Sequence, residues 1–194
     1  MENKLREIVA ELNEKLLAEY ETDTQLFEKL TRVQNDSGLL FDERPTAPLL
    51  RPHFLSRTQY DALAHAAETI AEAAERLTYA ALEDEELLER FDLTEMEKRL
   101  VKADPGYKKI CVSSRLDTYI DGENFKFLEY NAETPAGVGD QTPLEKVLNH
   151  VSLTREFLAL HSAWKPKPHQ KFLQALFKSY REFGGKKSKP NIAI

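Results

Sequence analysis

Arg115, Asp117, Glu129 and Asn131 are the residues whose types and spacing could do chemistry. The members of each pair lie two apart, so on strands Arg115 and Asp117 share one face with Tyr119, and Glu129 and Asn131 share a face on the returning arm. Lys109 to Ile120 reads as a first strand, Asp121-Gly122-Glu123-Asn124 as a turn and Phe125 to Asn131 as a second strand, which together make a β-hairpin. An odd loop, Gly122-Glu123-Asn124, sets Asp117 opposite Glu129 and Arg115 opposite Asn131. An even loop puts the two pairs on opposite faces, and the odd loop is expected. Two carboxylates and an amide oxygen suit magnesium with its retained waters, and a neighbouring arginine suits the phosphate oxygens such a metal bridges. That chemistry points to a metal-bound nucleotide. The bland alternative is an exposed hairpin face carrying a cross-strand ion pair worth about 0.2–1 kcal/mol. Brought together, Asp117 and Glu129 repel unless a metal, Arg115 or a raised pKa intervenes.

The hairpin needs a scaffold, and most of the remaining chain is patterned as helix. Asn3 to Gln34 carries apolar residues at helical spacing, which predicts one amphipathic helix or a broken pair. Ser56 and Gln59 form a capping box that opens an alanine-rich helix running to about Leu82, and Thr94 with Glu97 opens a short one. After the hairpin, Gly137 and Gly139 mark a loop. Thr142-Pro143-Leu144-Glu145 then predicts a helix with Thr142 as its cap, continuing irregularly toward Leu160. A last helix runs from about His169 to Phe183 and stops at Gly184-Gly185. Lys186 to Pro190 is a basic linker, and Asn191-Ile192-Ala193-Ile194 reads as the opening of a buried strand, so the chain is expected to be part of a longer protein. The organisation is α+β, with a helical region over 1–105 and an α/β part over 106–194.

Composition narrows the classes. A net charge of -6 with both signs interspersed provides no broad cationic surface for nucleic acid or anionic lipid. No apolar run approaches the roughly 20 residues that span a bilayer, and the N-terminus lacks signal-peptide regions, so a cytoplasmic protein is expected, without membrane or nucleic-acid partners. The single cysteine, Cys111, excludes an internal disulfide and reads as a buried structural thiol. Gly184-Gly185-Lys186-Lys187-Ser188 follows a helix rather than a strand and is not a P-loop. The five histidines lack metal-binding spacing.

The Arg-x-Asp at Arg115 and Asp117, the interval of twelve to Glu129, and the Glu-x-Asn ending at Asn131 and continuing Ala132-Glu133-Thr134-Pro135 are similar in order and spacing to glutathionylspermidine synthase and its circularly permuted ATP-grasp relatives. The likeness runs over about Ser113 to Asp140. It implies that Asp117, Glu129 and Asn131 bind Mg2+ bridging the phosphates of ATP, and that Arg115 assists the phosphoryl group passing to a carboxylate. It also implies that Glu133, Thr134 and Ala136 help bind the acceptor. The synthase carries serines in that segment where this chain has Thr134, Pro135 and Ala136, a departure that leaves the acid open. The function so implied is an ATP-dependent ligase joining a small, peptide-like carboxylate to an amine through an acyl phosphate. This chain would be its N-terminal portion, cut before the remaining ATP-grasp part and inactive alone. The alternative from another class is a non-catalytic helical interaction or scaffold domain, or a decayed remnant.

Overall fold

A computed structural model describes residues 2–132 and 136–192. The architecture is a mostly helical α+β arrangement with two small two-stranded antiparallel sheets. Helices α1 (Glu2–Thr22) and α2 (Leu26–Asp36) are the broken pair; β1 (Leu40–Phe41) and β2 (Arg44–Pro45) follow, then α3 (Arg57–Glu83), α4 (Glu85–Glu89) and α5 (Glu95–Val101). The hairpin that carries the candidate residues is β3 (Arg115–Asp121) with β4 (Asn124–Asn131), and α6 (Gln141–Leu148), α7 (Ser152–Leu160) and α8 (Pro168–Glu182) complete the order. Two compact units emerge. Unit 1 is Met1–Tyr60, Ile120–Asn124 and Ala136–His169, and unit 2 is Asp61–Tyr119, Phe125–Pro135 and Gln170–Ile194. Each draws on both sides of position 105.

Unit 1 has a well-formed core. Leu12 and Leu16 of α1, Leu30 of α2, Leu39, Val147 of α6 and Val151 are buried together, with Phe54, Leu144 and Phe157 packed against them. Thr154 is fully buried and its hydroxyl donates to Leu50 O at 2.7 Å. Gln34 is 2 % exposed and makes two hydrogen bonds to one residue's backbone: its Nε2 donates to Ala47 O at 2.9 Å and its Oε1 accepts from Ala47 N at 3.0 Å. Those two bonds anchor the chain beyond the β1–β2 ribbon, where Leu40 pairs with Pro45 and Phe41 with Arg44. The ribbon turns through Asp42 and Glu43, both at positive φ (50° and 62°), a conformation costly for residues other than glycine.

Unit 2 is built differently. Among its described apolar residues only Ala81 and Leu88 are buried, and α8 buries none. Polar links carry much of its local structure. Asp84 caps α4 by accepting from the backbone of Glu86 and Leu87, and Lys98 of α5 reaches Glu89 at 2.6 Å and Glu95 at 3.2 Å.

The predicted helix starts meet mixed outcomes. At the start of α3, Ser56 N donates to Gln59 Oε1 (2.8 Å) and Gln59 N to Ser56 Oγ (3.1 Å), both halves of the expected box. Thr94 and Glu97 form the second box. A Ser56→Ala chain is expected to lose about 1 kcal/mol, read as a lower urea midpoint. Thr142 is not a cap. Asp140 N donates to Gly137 O and Leu144 N to Asp140 O, so the preceding turn feeds directly into α6 two residues earlier, and the Thr142 hydroxyl lies 3.3 Å from His169 Nδ1. Ala193 and Ile194 of the expected terminal strand lie outside the described residues, and Asn191 and Ile192 are in no strand.

Candidate metal and phosphate site on the hairpin

The first strand is shorter than its pattern predicts. It begins at Arg115 rather than Lys109, because the peptide of Lys108 is claimed from elsewhere in unit 2: its carbonyl accepts from the Tyr79 hydroxyl and its N–H donates to Glu182 Oε2 at 3.0 Å. Lys109 is tied to Glu75 at 2.6 Å. Backbone groups satisfied by side chains are not available to a ladder. Cys111, expected to be buried, is half-buried in this irregular run, its Sγ 3.2 Å from Ser113 O and 3.6 Å from Ala132 O.

The turn also departs from expectation. Only Gly122 and Glu123 separate β3 from β4, and Asn124 opens the second strand instead of closing the loop. Gly122 sits at φ 63°, the conformation that two-residue hairpins with glycine at the first central position require. In unit 1 its carbonyl accepts from Gln59 Nε2 at 2.8 Å. An unbroken ladder from this turn would set Asp117 across from Leu128 and leave Glu129 and Asn131 on the other face.

The alternation along β4 does not stay unbroken. Phe125 and Phe127 are half-buried and Asn124, Lys126 and Leu128 exposed, but Glu129 is exposed as well, after which Tyr130 turns inward. Tyr130 and Ser114 line one cavity. Asn131 is half-buried like Tyr130, so the alternation is lost from Leu128 onward.

Within each arm the paired residues bond to each other. Arg115 Nε donates to Asp117 Oδ1 at 2.8 Å, with both side chains about two-fifths exposed. Asn131 Nδ2 donates to Glu129 Oε1 at 2.7 Å. The second bond orients the Asn131 amide so that its oxygen, the metal-binding atom, is not the one used. Of the remaining expected site residues, Ala136 is exposed and Glu133 and Thr134 lie outside the described residues. Among the described residues no three His, Cys, Asp or Glu side chains are grouped to hold a metal ion. Two carboxylates and one amide are nevertheless a donor set for magnesium, which keeps several of its waters. Gly184-Gly185 is accounted for without phosphate: Gly184 (φ 95°) and Gly185 end α8, and a Cβ at Gly185 would meet the Tyr180 ring at 2.2 Å.

Pattern reading missed the cavity behind this hairpin. Its walls come from α3, from the run before β3, from Tyr130 and from α8. The one sequence signal was the spacing of Glu68, Glu72 and Glu75, which places three carboxylates on one helix face. Among the described residues no helix is long and apolar enough to cross a membrane. Set against models of known families, curated proteins and solved structures, the chain shows no match.

Proposed function

We propose that the hairpin binds magnesium-bound ATP and belongs to a cytoplasmic ATP-grasp-type carboxylate–amine ligase, similar to glutathionylspermidine synthase. The observation that supports this reading is that Arg115 with Asp117 and Glu129 with Asn131 stand on the two arms of one hairpin, each pair hydrogen-bonded within its arm, in the order and spacing of that family's metal and phosphate residues. In this reading Asp117, Glu129 and Asn131 hold the metal. Arg115, already oriented by Asp117, stabilises charge on the γ-phosphoryl group as it passes to a substrate carboxylate. The products of that step are ADP and an acyl phosphate. An amine then attacks the acyl carbon, an amide forms, and inorganic phosphate leaves. No protein nucleophile is needed. Glu133, Thr134 and Ala136, following the metal residues, would contact the acceptor.

The test is to titrate the protein with ATP in the presence and absence of magnesium. Magnesium-dependent nucleotide binding is the expected result, and no binding, or binding that ignores magnesium, would contradict it.

A second reading has its own support. Unit 2 leaves Leu77, Phe91, Leu100, Leu128 and Phe183 between 46 % and 71 % exposed. A helical interaction or scaffold module would present such a surface. It is separated from the ligase reading by the silence of Asp117 substitutions.

A further inference from the structure

The cavity in unit 2 encloses about 390 Å³, toward the small end of ligand pockets (roughly 300–1,000 Å³). Ser113, Ser114 and Tyr130 line it, whereas Arg115, Asp117, Glu129 and Asn131 do not, so it is a separate site from the one on the hairpin's outer face. Its α3 wall carries Glu68, Glu72 and Glu75 at intervals of four and three residues, and its α8 wall carries Lys178, Ser179 and Glu182. Ala71, Val112 and Ala175 supply apolar lining.

The charges do not cancel internally. Glu75 is matched by Lys109 at 2.6 Å, and that hydrogen bond pushes the lysine's pKa up. Glu182 accepts the N–H of Lys108. Facing a ligand are two exposed carboxylates, Glu68 and Glu72, on one wall, an exposed ammonium, Lys178, beside the half-buried Glu182 on the other, and a set of hydroxyls. A diamine would satisfy the carboxylates and oppose Lys178. A neutral amino acid would satisfy Lys178 and leave one carboxylate over.

We propose that this cavity binds a free amino acid with a cationic side chain, its two cationic groups against Glu68 and Glu72 and its carboxylate against Lys178 and the serine hydroxyls. The inference does not depend on nucleotide binding by the hairpin. Occupancy would be felt there all the same, because Tyr130 lies between Glu129 and Asn131 in the chain.

The experiment is an NMR titration of the full chain with L-arginine, L-lysine, cadaverine and norleucine, following the amides of Val112 and Tyr130. Saturable shifts with L-arginine or L-lysine, at least about tenfold tighter than with cadaverine or norleucine, are expected. Glu72→Gln should weaken that binding about tenfold. Lys178→Met should do the same for the amino acids and leave cadaverine unchanged. Both substitutions are at exposed positions, and Ala71→Phe, which fills the cavity without altering a charge, should abolish the shifts. Cadaverine binding as tightly as L-lysine, with Lys178→Met indifferent, would overturn the proposal in favour of a diamine. Shifts that never saturate, or that survive Ala71→Phe, would overturn it outright.

Discussion

An Asp117→Asn chain is expected to bind magnesium ATP more weakly by a factor on the order of a hundred, roughly 3 kcal/mol. The substitution keeps the side chain's shape and removes its charge. A carboxylate ligand to a hard dication becomes a neutral amide, and Arg115 loses the ionised partner that its Nε meets at 2.8 Å. Two effects therefore act together: weaker metal binding and a less constrained guanidinium. Tyr119→Phe serves as the control, since Tyr119 is on the same strand, is 62 % exposed and contributes no metal-binding oxygen in this account. It should change affinity less than about twofold, well under 1 kcal/mol. Calorimetric titration of each protein with ATP, with and without magnesium, reads both numbers. A scaffold module predicts that the two substitutions are equally silent.

Gln34→Ala is expected to lower the stability of unit 1 by about 1–3 kcal/mol. The change removes the partner of the Ala47 N–H, whereas the Ala47 carbonyl still accepts from Leu49 N at 2.8 Å, so one half-buried group is left unpaired. With a typical urea slope of about 1–3 kcal/mol/M, the midpoint should fall by roughly 1 M. The comparison is Leu40→Ala in the neighbouring ribbon. Leu40 is 44 % exposed, so its truncation should cost under about 1 kcal/mol. Equal losses from the two substitutions would show that Gln34 is not the anchor.

What could be read from the sequence followed from interactions between near neighbours. The Ser56–Gln59 and Thr94–Glu97 boxes close within three residues, and both form as their patterns predict. The break after Thr22 and the stop of α8 before Gly184 are equally local. What escaped depends on partners far along the chain. Nothing near Lys109 announces that Tyr79 and Glu182 will take the Lys108 peptide and delay β3 to Arg115. Thr142 looked like a cap because the pattern cannot show that the Gly137 turn already supplies the helix start. The β1–β2 ribbon escaped because Asp42-Glu43 is not a residue pair that signals a tight turn.

The candidate site shows both behaviours at once. Its four residues and the hairpin holding them were visible, but the odd loop predicted to align them is an even one. In an unbroken ladder the two-residue turn sets Asp117 across from Leu128, and the loss of alternation after Leu128 has no signal in the residue types. The cavity escaped for the long-range reason: its walls are assembled from segments more than a hundred residues apart, Glu68 to Glu182.

The most direct test of the metal-bound nucleotide site is paramagnetic. Mn2+ in place of magnesium, added with ATP to the isotopically labelled protein, should broaden the amides of Arg115 to Asp117 and Glu129 to Asn131 before any others, and Asp117→Asn should abolish that broadening. Broadening centred instead on the acidic run Glu83–Glu86, or unchanged in the Asp117→Asn protein, would contradict the account.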